Sequence, residues 1–109
     1  MAYDEDLAER LRAALAGERF TEKAMFGGLA FLIGGHMSVA ASGQGGLLVR
    51  VPPEETDALL AEPGAEEFAM RGRPMQGWLR VNPDVLDDDA TVATWAGRGV
   101  AYAKTLPPK

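Results

Sequence analysis

The chain has 109 residues, of which 47% are hydrophobic, 25% are charged and none is cysteine. This composition is typical of one globular domain over residues 1–109, and it excludes disulfides, cysteine-ligated metals and thiol chemistry. The formal charge of -5 has the wrong sign for a protein that grips nucleic acid by counterion release, so we expect no direct nucleic-acid binding.

The N-terminus and the longest apolar run bear on where the protein acts. Met1–Glu9 is acidic and contains no apolar stretch, which is not the pattern of a signal peptide. Ala24–Ile33 is the longest apolar run, but glycines interrupt it and it has about half the length of a membrane-spanning helix. We therefore expect a cytoplasmic protein that makes no membrane contact.

The N-terminal segment predicts a helix from Asp4 to Ala16. Leu7, Leu11 and Leu15 recur at helical spacing, and acidic residues precede them at the end of the helix where negative charge is favoured. Gly17 supplies a C-terminal stop.

Three strands are predicted between Lys23 and Val51, with the sequences KAMFGGLAFLI, HMSVAAS and LLVRV. Gly34-Gly35 is a two-residue hairpin signal, because such turns need a positive φ that glycine adopts without steric cost. Gly43–Gly46 predicts the second turn. The Gly27-Gly28 pair is expected to let the first strand bend or to let the N-terminal helix approach it closely. The simplest arrangement is a three-stranded antiparallel meander.

Prolines and glycines divide the second half of the chain. The pair Pro52-Pro53 ends the third strand and starts a short helix whose Leu59-Leu60 pair is expected to face the core. Two further strands are predicted at Glu66–Met70 and Trp78–Val81. The segment Arg71–Gly77 between them is rich in glycine and proline, so we expect it to be irregular.

The C-terminal segment Asp84–Leu106 predicts an amphipathic helix that is started by Asp87–Asp89. Gly97 and Gly99 each cost roughly 1 kcal/mol relative to alanine in a helix interior, so either close packing requires them or the helix bends there. The order is helix, three antiparallel strands, helix, two strands, helix. This order predicts an α+β fold with a mostly antiparallel sheet.

The string KAMFGGLAFLIGG at residues 23–35 resembles the opening signature of the TfoX/Sxy N-terminal domain family, in which a basic residue precedes Met-Phe-Gly-Gly, an apolar strand and a glycine turn. The resemblance continues through LLVRV (47–51), EEFAM (66–70), GRPMQGW (72–78) and TWAGRGVAYA (94–103), so it covers nearly the whole chain. We expect the motif residues to be mainly structural, with Met25 and Phe26 in the core. These residues are Lys23, Met25, Phe26, Gly27 and Gly28.

The resemblance implies an α+β domain that is grouped with secretion-chaperone-like folds. The family's two-domain namesakes are regulators of natural competence that act with a cyclic-AMP receptor protein at promoters, so the resemblance also implies a regulatory role. This chain is expected to lack their C-terminal helical domain. We expect a non-enzymatic interaction or regulatory module with no catalytic residues, cofactor or metal site. We also expect a homodimer formed through an exposed sheet edge or the last helix.

Four arginines of this acidic chain lie between residues 50 and 80, with Met75 and Trp78 among them. Arg, Met and Trp are enriched in protein-protein interfaces. We therefore predict a protein-binding surface centred on the RGRPMQGW segment. Its residues are Arg50, Arg71, Arg73, Met75, Trp78 and Arg80. In the alternative, Arg71 and Arg73 pair with Glu66, Glu67 or Asp87–Asp89 as solvated surface charges.

His36 is the single histidine, and it directly follows the Gly34-Gly35 turn. A surface position at the hairpin end is the simplest interpretation, because zinc would need several carboxylate or water ligands beside it. A second functional hypothesis is a small-molecule or anion-binding protein in which the arginine cluster and His36 line one pocket. This hypothesis requires that His36 lie close to Arg71 and Arg73.

Overall fold

A six-stranded antiparallel sheet with helices on one side forms the protein. The computed structural model describes residues 3–25, 27–70 and 72–108. The helices are α1 (Glu5–Ala14), α2 (Thr56–Leu59) and α3 (Asp89–Thr105), with single 3-10 turns at Pro53–Glu55 and Pro83–Val85. The strands are β1 (Thr21–Met25), β2 (Gly28–Ile33), β3 (His36–Ala41), β4 (Leu47–Arg50), β5 (Ala65–Met70) and β6 (Arg73–Val81). They lie in the order β1-β2-β3-β4-β6-β5. The predicted α+β class is confirmed.

Helix α1, which was predicted over Asp4–Ala16, runs from Glu5 to Ala14, and Asp4 caps its first turn. The side chain of Asp4 accepts hydrogen bonds from the backbone N–H groups of Asp6 and Leu7, at 2.9 Å and 3.2 Å. These two donors have no partner within the helix, so the carboxylate stabilises its first turn. The apolar stripe that includes Leu7 and Leu11 is buried in the core, as the helical spacing indicates.

The segment from Lys23 to Ile33 was expected to be one strand, and this expectation is wrong. The chain turns between β1 and β2, so that Met25 pairs with Gly28 and the sheet gains a sixth strand. Gly27 has a φ of 75°, which glycine adopts without strain. Phe26 lies outside the described residues. A Cβ on Gly28 would meet the backbone of Ala41 and Gly43, so the close approach at this glycine is to the end of β3 and not to α1.

Both glycine turns after β2 form as predicted. Gly34 and Gly35 have φ values of 59° and 85° and join the paired residues Ile33 and His36. In the second turn, the N–H of Ser42 donates to the carbonyl of Gly46 at 3.0 Å. Because both turns are short, β2, β3 and β4 form a meander.

The segment Arg71–Gly77 was predicted to be irregular, but β6 already begins at Arg73. It pairs there with the end of β5, through Met70 with Arg73 and Ala69 with Pro74. The register then shifts between Glu67 and Ala69. Hydrogen bonds with β5 hold this segment as a strand, and the pattern of glycines and prolines within the segment does not predict them. Arg71 itself lies outside the described residues.

Helix α3 packs with α1 on one face of the sheet. Asp88 caps α3 by accepting from the N–H of Ala90 at 2.9 Å, so the helix begins at Asp89 and not at Asp84. Trp95 is 2% exposed in the core that both helices share with the sheet. Leu59 and Leu60 pack partly buried against the same core, as expected.

Candidate functional site

One face of the sheet carries apolar residues that no described helix joins. On the opposite face, strand residues such as Phe31, Val49 and Leu79 form the main core with α1 and α3. The second apolar cluster consists of strand residues alone. We call its side of the sheet the open face, and its apolar members are Met25, Ala30, Leu32, Met37, Ala40, Leu48, Phe68 and Trp78.

The small residues in the middle of the open face are buried by the side chains around them. Ala30 and Ala40 pair across β2 and β3, and they are only 0% and 5% exposed. The side chains of Leu32, Phe68 and Trp78 are longer and only partly buried. The apolar atoms that a binding partner can reach therefore belong to these longer side chains.

Strand pairing places three charged residues in one row across the open face. Lys23 pairs with Ala30 on β2, and Arg80 pairs with Leu48 on β4. Glu66 on the edge strand β5 pairs with Arg80. Because residues directly opposite each other in antiparallel strands project to the same side, the row has Lys23 at one end and the Arg80–Glu66 pair at the other.

Arg50 and Trp78 are brought together as the predicted surface requires. They are cross-strand neighbours on β4 and β6, and the Arg50 guanidinium lies 5.4 Å from the Trp78 ring centre. The same guanidinium lies 5.7 Å from the ring of Tyr102 on α3. Trp78 also contacts Phe68, with ring centres 6.4 Å apart and a tilt of 50°. Arg50 therefore makes two cation–π contacts, of which the one with Tyr102 links the sheet to α3.

Arg80 is held within the chain. Its Nη2 donates to the carbonyl oxygens of Gly45 at 2.6 Å and Gln44 at 3.1 Å, and its Nη1 lies 3.9 Å from Glu66. The glycine turn between β3 and β4 exposes these carbonyls, so Arg80 stabilises the turn. Among Arg50, Arg73 and Arg80, the three arginines of the predicted surface that the structure describes, it has the most polar contacts within the protein.

Arg73 and Met75 lie near the free end of the β5–β6 hairpin, and both are exposed. Met75 is 36% exposed, so its apolar side chain is open to solvent. Within residues 3–25, 27–70 and 72–108, Arg73 forms no ion pair, and Glu66 pairs with Arg80 instead. Nothing is described of Arg71, the remaining member of the predicted surface.

His36 lies at the end of the β2–β3 hairpin, where the sequence predicts it. Its Nε2 lies 2.6 Å from the carbonyl oxygen of Pro107, so the ring holds the segment that follows α3. Ser38 follows two residues later. It occupies a bulge in β3, and its buried hydroxyl donates to the carbonyl of Phe31 at 2.9 Å.

Helix α3 lines four clefts of about 230 to 280 Å³ in the described part of the chain. Neither His36 nor Arg73 lines any of the four, so these clefts do not join the two residues. No group of three or more His, Asp or Glu residues among those described is arranged to hold a metal ion. Nor does any described helix have the length and hydrophobicity needed to cross a bilayer.

Phe68, Tyr102 and Lys23 belong to this arrangement, although the sequence did not assign them to the binding surface. The alternation in EEFAM could have placed Phe68 on the same side as Glu66, two residues earlier. No local signal could have placed Tyr102 beside Arg50, because 52 residues separate them and strand order brings them together.

Comparison with known proteins gives one finding. A family model described as the TfoX N-terminal domain matches residues 9–103, which is nearly the whole chain. The matched range contains all six strands and the open face. No curated protein and no solved structure gives a significant match.

Proposed function

Because the chain belongs to the TfoX N-terminal domain family, we propose that it is a non-enzymatic regulatory module of the cytoplasm that acts by binding another protein. The observation that carries this proposal is the composition of one surface. Arg73 and Met75 are exposed near the end of the β5–β6 hairpin, and Trp78 is partly exposed further along β6. We call these three residues the hairpin surface.

The side chains of the hairpin surface suit protein recognition. Tryptophan and arginine are enriched among the residues that contribute most to binding energy, and methionine adapts its shape to different partners. Arg73 forms no ion pair among the described residues, so its donors are open to a partner's carboxylate.

The regulatory part of the proposal comes from the family and the charge. The family's namesakes are regulators, and a chain with a formal charge of -5 is poorly suited to bind DNA by itself. A regulator of this kind can act on transcription by contacting a protein that does bind DNA.

Affinity capture followed by a binding measurement tests the proposal. Tagged wild-type protein and an Arg73→Glu/Met75→Ser variant are used on host lysate, and captured proteins, nucleic acids and small molecules are identified. The captured protein is then purified, and its Kd is measured by calorimetry. We expect the variant to bind at least about tenfold more weakly, because it loses an apolar contact and places a carboxylate where a cation was.

Arg19→Glu is the matched control, since Arg19 is also exposed but lies just after α1, away from the hairpin surface. It should bind as the wild type does. Equal Kd values for the hairpin variant and the wild type would contradict the proposed contact surface. Capture of only a small anionic molecule would favour the ligand-binding hypothesis instead.

A further inference from the structure

We propose that the open face binds an acidic amphipathic helix of the partner protein. This inference rests on the proposed function and specifies the kind of partner. It concerns the side chains of the open face, chiefly Lys23 on β1, Arg50 on β4 and the apolar side chains of β2, β5 and β6, and it shares only Trp78 with the hairpin surface. Three observations support it, namely the distribution of charge, the absence of ion pairs at two of its cations among the described residues, and the width of the apolar surface.

The open face is basic in an acidic protein. Lys23, Arg50, Arg80 and Glu66 share it, three cations and one carboxylate, which give it a charge of +2. Since the whole chain carries -5, the rest of the sequence carries -7. Electrostatic complementarity favours partners whose charge is opposite to the surface they meet, so the open face attracts an acidic segment and the remaining surface repels it.

The cations of the open face differ in how many carbonyl and carboxylate groups of the same chain they already contact. Arg80 is engaged by two carbonyls and Glu66. Arg50 contacts the rings of Trp78 and Tyr102 but no carboxylate. Lys23 is exposed, and neither Lys23 nor Arg50 forms an ion pair among the described residues. A partner's carboxylates can therefore pair with Lys23 and Arg50 without displacing a carboxylate of this chain.

The width of the surface fits a helix. From Lys23 on β1 to Arg80 on β6, the row crosses four gaps between strands, and strands lie about 4.8 Å apart, so the row spans roughly 19 Å. Leu32 on β2 and Phe68 on β5 are also four gaps apart, so the apolar side chains span the sheet over a similar distance. A helix rises about 1.5 Å per residue, so roughly 13 residues laid across the strands cover this width. Its apolar stripe would lie on Leu32, Trp78 and Phe68, with acidic residues within reach of Lys23 and Arg50.

A second copy of this chain fits the open face less well. A symmetric dimer uses the same patch on both copies, so each copy's Lys23 and Arg50 would meet a basic patch. Like charges placed together at an interface oppose binding. The favoured occupant is thus a different, acidic protein.

Two synthetic helical peptides test the inference. Both have about 18 residues and the same stripe of Leu and Phe, but one carries Glu on its flanks and the other Lys. Backbone amide shifts of the full chain are followed by NMR during titration. We expect the Glu peptide to bind at least about tenfold more tightly, and to shift the amides of Lys23, Ala30, Ala40 and Leu48 more than those of α3.

Substitutions of exposed cations supply the specificity control. Lys23→Glu should weaken binding of the Glu peptide by about tenfold, whereas Lys104→Glu, at an exposed position of α3, should leave it unchanged. Equal affinity for the two peptides, absence of binding, or shifts confined to α1 and α3 would each overturn the inference.

The outcome also separates this inference from the proposed function. If the captured partner depends on Arg73 and Met75 but is unaffected by Lys23→Glu, the protein is an interaction module and the open face is not its acidic-helix site. If no protein is captured while the Glu peptide binds at the open face, the proposed contact through the hairpin surface is wrong. The inference that the open face binds an acidic helix is then still supported.

Discussion

Gly99 of α3 lies directly against Ser38 of β3, so that a Cβ added to the glycine would overlap the carbonyl oxygen of Ser38 and lie 2.9 Å from Cγ1 of Val39. Ser38 is fully buried, and its hydroxyl is committed to the carbonyl of Phe31. The glycine therefore sets how closely α3 packs on the sheet. Of the two explanations open from the sequence, close packing applies to Gly99.

Gly99→Ala should destabilise the protein by about 1–3 kcal/mol, because overpacking forces the helix away from the sheet or strains the strand. Urea denaturation followed by tryptophan fluorescence measures this change. A variant as stable as the wild type would show that α3 can move outward at no cost.

Gly97→Ala should have the opposite effect. Gly97 is exposed, two residues earlier on the same helix, and an added Cβ would have no atom within 4 Å. Alanine has the higher helix propensity, so we expect a gain of about 0.5–1 kcal/mol. The same denaturation measurement applies, and a loss of stability would indicate that Gly97 has a role that its surroundings do not show.

Arg50→Gln should lower the free energy of unfolding by about 1 kcal/mol, since the guanidinium lies over the rings of both Trp78 and Tyr102. Arg50→Lys keeps the charge but not the planar group, and it should cost less than Arg50→Gln. A double-mutant cycle with Tyr102→Leu isolates the contact to α3. Additive effects in that cycle would mean that Arg50 does not couple the sheet to the helix.

Stability should depend on pH through Glu22 and Arg12. The Arg12 guanidinium donates to both carboxylate oxygens of Glu22, at 2.7 Å and 2.8 Å, and this hydrogen bonding lowers the pKa of Glu22. A carboxyl whose folded pKa is lowered stabilises the protein above its unfolded pKa, roughly 4.3 for Glu. That stability is lost as the pH falls through the folded pKa.

Glu22→Gln should therefore be less stable than the wild type at neutral pH, and the difference should shrink as the pH is lowered to about 3. Urea denaturation at both pH values measures it. Glu54→Gln is the control, because Glu54 is exposed and forms no ion pair among the described residues. A Glu22→Gln deficit that persists in acid would argue against the ion pair as its cause.

The homodimer expected from the sequence stays a prediction. Of its two proposed contacts, an exposed sheet edge and the last helix, the structure makes the sheet edge less favourable. The edge strands are β1, with Glu22 and Lys23, and β5, with Glu66 and Glu67. Charged residues on edge strands oppose pairing between sheets, so the last helix is the favoured contact. Sedimentation velocity over a range of concentrations would show a dimer, and a monomer throughout would end this expectation.

Several features of the fold follow from local sequence. The Gly34-Gly35 turn, the Asp4 cap and the strand at Glu66–Met70 depend on residues close together in the chain, and all three are present. The break between β1 and β2 and the early start of β6 were missed. At both places a turn or strand is stabilised by pairing with a neighbouring strand, which local periodicity does not reveal.

The sequence by itself determined the α+β class, the likeness to the TfoX N-terminal domain and the clustering of Arg50, Met75 and Trp78 as interface residue types, since these depend on composition and short-range pattern. Only the tertiary structure decided which of these residues contact one another and which further residues join them. The strand order places Lys23 beside Ala30 on the open face and Tyr102 beside Arg50. Such contacts join residues far apart in the chain, and they arise when the sheet and α3 pack together to bury the core.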